Sequence, residues 1–171
     1  MTSRLGAAWA AWERFWFGPV DLVLVSLFRL VFGSGLFLFY LGRQWDYRFL
    51  FSEEGIAPYA LARAALDEHA RTVGWLASAG PLGPILHVLL LALLLGLAVG
   101  TLGRGFAWAA LVLHLVFIQR NPFVAYGPDM VATCWLLYLS LTDCNRYLAL
   151  RPRWMGGPRA LGPAPELTRD P

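Results

Sequence analysis

The sequence predicts an all-α fold: an integral membrane helical bundle of about four transmembrane helices, with amphipathic helices at the interface. Three observations lead there. Hydrophobic residues make up 58% of the 171 residues, against 15% charged, and the mean hydropathy is +0.54. Aromatic residues reach 15%, outside the range of an average soluble domain. Apolar runs near or above about 17 residues recur, which suits a bilayer solvent better than a water-facing core.

The elements follow in order. Residues 5 to 17, LGAAWAAWERFWF, put Trp9, Trp12 and Trp16 on one helix face beside Glu13 and Arg14. Such a stripe suits the headgroup region, where an indole is half in oil and half wet. GPVD then breaks the helix. LVLVSLFRLVFGSGLFLFYL, residues 22–41, carries one charge, Arg29, and is long enough to span. Ser26, Arg29 and Gly33 share a face of that helix, a small and polar side suited to meeting other helices. The N-terminus lacks the pattern of a cleaved signal peptide, so this run is read as a signal-anchor span.

Residues 42–84 form a long connection. Within it an amphipathic surface helix is predicted over about 59–79, with Leu61, Leu66, Val73 and Leu76 on its apolar side. Arg63, Asp67, Glu68 and Arg71 form its wet side, and Gly80 and Pro81 end it. Residues 85–118 are nearly all apolar. One helix of that length would reach about 51 Å, beyond a hydrocarbon core of about 30 Å. TLGRG at 101–105 is therefore read as a tight hairpin between spans at about 85–101 and 104–120, with Arg120 snorkelling outward. A fourth span over about 128–148 starts with a first-turn proline, Pro128, and Asp129 at the positive helix end. Residues 1–150 make up the membrane domain, and 151–171 are a Pro/Gly-rich tail expected to be disordered.

Arginine placement sets the orientation. With the N-terminus inside, Arg4, Arg14, Arg104, Arg146, Arg151 and Arg153 face the cytoplasm. Arg43, Arg48, Arg63, Arg71 and Arg120 face out, offset by Asp46, Glu53, Glu54, Asp67 and Glu68. The bias puts both termini on the cytoplasmic side of the inner membrane.

Several function classes drop out. A net charge of +3 with no basic block argues against nucleic-acid binding. All 14 basic residues are arginine, so no lysine is present to serve as base, nucleophile or Schiff-base former. Cys134 and Cys144 lie ten residues apart on one predicted helix, about 15 Å, too far for a disulfide. No CxxC or Cys/His metal spacing occurs.

The candidate pocket gathers at the predicted outer level. His87 starts the second span, and His114 ends the third with Asn121 seven residues on. Arg120 and Asp129 bracket the loop in FIQRNPFVAYGPDM, residues 117–130, while Tyr40, Arg43 and Gln44 close the first span on the same side. Ionisable groups at that depth are costly unless paired or facing a wet cavity. A plainer reading stands beside this one: histidines bonded between helices, Arg120 as a boundary anchor and Asp129 as a helix-end charge. Arg29 is read as half of a structural intramembrane pair with Asp143, or with Asp21, in preference to snorkelling toward the cytoplasmic side.

Three segments in order carry a resemblance: WERFWFGPVDLVLVSLFRLVFG, FSEEGIAP and QRNPFVAYGPDM. Together they resemble the horizontally transferred transmembrane (HTTM) domain, a family that takes in vitamin K-dependent gamma-carboxylase and many bacterial proteins. TDCNRYLALRP, residues 142–152, is also similar to the polar stretch after a carboxylase membrane helix. The resemblance implies a helical membrane fold whose working side faces the lumen or periplasm. It also implies a lysine base, which this chain lacks, and a histidine where Pro122 follows Asn121. The chain is short for that family.

Three functions are weighed. The leading one is a non-catalytic membrane module that binds lipids, a protein partner or a second copy of itself. The second is an oxidoreductase or transferase with a quinone-like cofactor, His87 or His114 as base and Arg120 holding an anion. The third is a small DoxX-like protein working beside a redox enzyme. The missing lysine and the lack of redox cysteines weigh against catalysis.

Overall fold

The computed structural model describes residues 6, 7, 9, 12, 13, 22–66, 73–78, 80–101, 104–145 and 147–150. All regular structure among them is helical. Four long helices form the body: α1 (Leu22–Trp45), α4 (Leu82–Val99), α5 (Arg104–Arg120) and α6 (Gly127–Leu141). Between the first two lie α2 (Tyr47–Phe51), α3 (Tyr59–Ala65) and a 3-10 helix (Gly74–Ser78). At a rise of about 1.5 Å per residue the four long helices are roughly 36, 27, 25 and 22 Å long. Two of them, α1 and α4, are long and apolar enough to cross a membrane.

Each long helix buries one stripe. On α1 it is Ser26, Arg29, Gly33, Leu36 and Tyr40, spaced by three or four residues so that they line one face, with Val25 beside Ser26. The Ser26, Arg29 and Gly33 face is therefore buried, as expected. Gly33 marks the close crossing with α4: a Cβ there would lie 3.0 Å from the Ala98 Cα. Successive helices pack on one another, α1 on α4, α4 on α5 and α5 on α6, and the 3-10 helix lies against α4 and α5. Aromatic side chains join α1 to α6, with the Phe28 and Trp135 ring centroids 4.6 Å apart.

The outer faces are as apolar as the core. Val23, Leu24, Leu27, Val31 and Leu38 of α1 are exposed, as are Ile85, Val88 and Leu95 of α4 and Met130, Val131 and Leu141 of α6. Polar side chains lie inside instead: Ser26, Arg29, His87, His114, Arg120, Asn121, Asp129, Ser140 and Asn145 are buried.

The helix boundaries show what packing adds to pattern. The helix at 104–120 stands where expected, whereas α1 continues past 41 to Trp45 and α4 covers 82–99 rather than 85–101. Gly100, at φ +79° and ψ 37°, ends α4, and the N–H groups of Gly100 and Thr101 both bond the Gly96 carbonyl. The helix expected over 59–79 is not one helix. It stops at Ala65, Leu66 turns extended, and residues 74–78 form the 3-10 turn. Asp67, Glu68 and Arg71 of its expected wet side lie outside the described residues. Ala62, not Leu61, is its buried position. Contact with the end of α5 explains the break: Val73 N–H donates to Gln119 Oε1, 2.9 Å. A Cβ on Gly74 would lie 2.8 Å from the Gln119 carbonyl, an approach that only glycine allows.

The helix expected over 128–148 ends at Leu141. Thr142 turns extended and the chain folds back across α1 and α4. Ser26 Oγ donates to the Cys144 carbonyl, 3.0 Å, and Leu150 N–H to that of Val99, 3.1 Å. Cys134 and Cys144 are thus not on one helix: Cys134 is exposed on α6 and Cys144 is buried beyond its end. Trp9 and Trp12 are exposed and Trp9 donates to Glu13, 2.7 Å, whereas Trp16 and the 151–171 tail lie outside the described residues.

Candidate functional site: a polar core at one end of the bundle

The end of α1, the start of α4, the end of α5 and the start of α6 meet at one end of the bundle. The five candidate residues come together there in two groups. In the first, Arg43 from the last turn of α1 forks onto Asp129: Nη1 to Oδ1 and Nη2 to Oδ2, each 3.2 Å. Nη2 also reaches the Val124 carbonyl, 3.1 Å, and the guanidinium lies 4.2 Å from the Phe39 ring centre. Asp129 doubles as a helix cap, its Oδ2 accepting Tyr126 N–H at 3.1 Å. The helix-end reading of Asp129 is therefore half of its role, the other half being the ion pair.

His114 extends this chain. Its Nε2 lies 3.0 Å from the Asp129 carbonyl, which only accepts, so Nε2 carries a proton. A neutral ring then presents Nδ1 as an acceptor, and the Tyr40 hydroxyl donates to it at 2.6 Å. His87 stands beside Tyr40, ring centroids 5.8 Å apart. Its Nδ1 meets Gln44 Oε1, and the rings of Tyr47, Phe51 and Phe117 enclose it at 5.2, 6.0 and 5.1 Å. Its Nε2 is buried with no hydrogen-bond partner.

The second group holds a loop. Arg120 does not snorkel: it is fully buried, donating from Nη1 to the Ala57 carbonyl, 2.9 Å, and from Nη2 to Glu53, 3.1 Å. Asn121 Nδ2 donates to the Leu50 carbonyl, and its Oδ1 accepts Phe123 N–H. These two adjacent residues tie the segment from Leu50 to Ala57 onto the bundle. The two terminal nitrogens of Arg120 are thereby satisfied, while its Nε stays buried without a partner. Beside this loop lies an open cavity of about 270 Å³, with Tyr47 and Phe51 in its wall. Burial pushes the Tyr47 phenol up to about 12 against the lowering pull of Arg120, so it stays a neutral hydroxyl.

Arg29 sits near the opposite end and is not half of an ion pair with Asp143. It is fully buried and donates to two main-chain carbonyls, Leu97 at 2.9 Å and Leu148 at 2.6 Å. Asp143 is exposed, and Asp21 lies outside the described residues. Leu97 belongs to the last turn of α4, whose carbonyls carry the negative end of the helix dipole, so Arg29 is held by backbone acceptors rather than by a carboxylate, with its Nε left unpartnered.

Most polar atoms of the candidate residues are engaged inside the protein, whereas His87 Nε2 and Arg120 Nε are buried without a partner. The carboxylate of Asp129, both ring nitrogens of His114 and the amide of Asn121 are all engaged inside the protein. Among the described residues no three His, Cys, Asp or Glu side chains converge on a metal position. In the sequence Arg43 and Tyr40 stand only as neighbours of the site, and Glu53 only as a loop charge. Their partners lie 67 to 86 residues away in the chain, and no local pattern marks such pairs. Comparison with protein-family models, with curated proteins and with solved structures finds no match for this chain.

Proposed function

We propose that the chain is a multi-pass membrane module of the HTTM type, non-catalytic, that binds lipid or a protein partner. Its four long helices would span the inner membrane with both termini cytoplasmic. One observation carries the reading: the outward faces of the long helices are as apolar as the buried core. Only 28% and 33% of the apolar stretches of α1 and α4 are buried. A water-soluble protein would bury such helices in its core, whereas a bilayer solvates their outer faces and leaves polar groups to pair inside. At roughly 25 and 22 Å, α5 and α6 are short for a core of about 30 Å, and local thinning of the bilayer accommodates that.

The test has two parts. The protein should stay in the membrane pellet through alkaline carbonate, and release into the supernatant refutes the reading. Single cysteines at Glu54 and Gly157, with Cys134 and Cys144 replaced, should label from opposite sides. Labelling from the same side refutes an even number of spans. Glu54 suits this better than neighbouring Gly55, where a Cβ would meet the Phe49 carbonyl.

A quinone-dependent enzyme is the second reading, and one observation favours it: the unpartnered Nε2 of His87 inside its ring of aromatics. Mass spectrometry of small molecules that copurify with wild type and with His87→Ala/His114→Ala separates the two. An unchanged ligand profile removes the enzyme pocket.

A further inference from the structure

The cavity beside the loop end has a composition of its own. Tyr47 and Phe51 give it an aromatic wall and Pro84 an apolar edge, while Arg48 and Glu54 carry opposite charges on its rim. Neither charge is spent within the fold: among the described residues the ion pairs are Arg43–Asp129 and Arg120–Glu53. Glu53, by contrast, is used up, taking Arg120 on one oxygen and Tyr59 N–H on the other. Ser78 also lines the cavity, and its Oγ, unpartnered and covered by its surroundings, would reach a ligand by turning about χ1. A buried polar atom left unpaired costs stability, so a ligand or water that bonds it is favoured.

Position adds a second line. The cavity is built from residues just after α1 and around the start of α4, at one end of the bundle. Exposed aromatics cluster at the same end: Trp45 at 86%, Phe49 at 60% and Trp75 at 53% exposure. In a bilayer such side chains sit among headgroups. The open cavity of about 270 Å³ has room for a headgroup.

We propose that this cavity binds a phosphoethanolamine group, with its phosphate on Arg48 and the Ser78 hydroxyl and its ammonium on Glu54. Arginine suits phosphate through paired N–H donors. A primary ammonium donates hydrogen bonds to a carboxylate, which a trimethylated one does not. The group has two sources, phosphatidylethanolamine in the membrane and free O-phosphoethanolamine in solution. The lipid source rests on the membrane reading above, whereas the chemistry of the cavity does not.

The experiment is native mass spectrometry of the full chain in detergent, with phosphatidylethanolamine, phosphatidylcholine and phosphatidylglycerol offered at equal concentration. Calorimetry with O-phosphoethanolamine runs in parallel. Wild type should retain phosphatidylethanolamine at least about tenfold over the other two, the scale of one charge-assisted hydrogen bond. Arg48→Ala and Glu54→Gln, both at exposed positions, should each abolish that preference while melting at the wild-type temperature. Ser78→Ala should weaken it. Binding of O-phosphoethanolamine with the same dependence on Arg48 and Glu54 supports the headgroup chemistry from the soluble source, even if carbonate extraction has released the protein from membranes. Equal retention of the three lipids together with no O-phosphoethanolamine heat overturns the proposal. So does a preference that Arg48→Ala and Glu54→Gln leave unchanged.

Discussion

Replacing Asp129 with asparagine should destabilise the protein by about 3 kcal/mol, the lower end of the range for breaking a buried ion pair from one side. The carboxylate takes three hydrogen bonds: Arg43 Nη1 on Oδ1, and Arg43 Nη2 with Tyr126 N–H on Oδ2. An amide of the same shape puts its NH2 group against a donor in either orientation. The less costly one faces Arg43 Nη1 and keeps the two bonds on the remaining oxygen. Arg43 then stands charged in a site 13% open to solvent, with the Val124 carbonyl and the Phe39 ring still in reach. Those contacts are why the loss falls at the low end. For a domain of this size about 3 kcal/mol corresponds to a melting shift of roughly 6 to 12 °C. The assay is thermal unfolding of the detergent-solubilised protein by tryptophan fluorescence, on Asp129→Asn, Arg43→Gln and the double variant. The double variant should be at least about 1 kcal/mol more stable than the sum of the singles predicts. Strict additivity refutes the pair, and so does an Asp129→Asn protein that melts with wild type.

Arg29→Met should cut thermal stability by several degrees while Asp143→Asn leaves it unchanged, since Arg29 bonds carbonyls and Asp143 is exposed; equal losses restore the carboxylate pairing. Gly100→Ala should be strongly destabilising, because the backbone there has φ +79° and a Cβ would run into Arg29 Nη1. Gly105→Ala, with nothing within 4 Å, should be neutral or stabilising by up to about 1 kcal/mol, and the same melting assay reads both. Tyr40→Phe should cost about 1 to 3 kcal/mol by leaving His114 Nδ1 buried without its donor, and His114→Phe in that background should recover part of the loss. For Tyr47, the folded phenol ionises near 12 and the unfolded one near 10. Its contribution is fully present below pH 10 and is lost as pH rises through 12, so Tyr47→Phe should flatten the decline measured by unfolding over that window.

Hydropathy and period alone reached the helical class, the helix at 104–120, and the stripe of Ser26, Arg29 and Gly33 that turns inward. These are properties of short stretches: a run of apolar side chains costs too much in water, and a spacing of three or four puts residues on one face. The same reasoning identified the end of the bundle where His87, His114, Arg120, Asn121 and Asp129 collect, because the order of helices dictates which ends meet. Pairing was another matter. Asp129 chose Arg43, Arg120 chose Glu53, and Arg29 took backbone carbonyls instead of Asp143, all across at least 67 residues of chain. Two helices also ended early, one because Gly74 lets the chain lie against Gln119, the other because Ser26 and Arg29 bond the strand of backbone after Leu141. A buried charge takes whichever acceptors the packed helices bring within about 3 Å, and that distance exists only after the chain has folded.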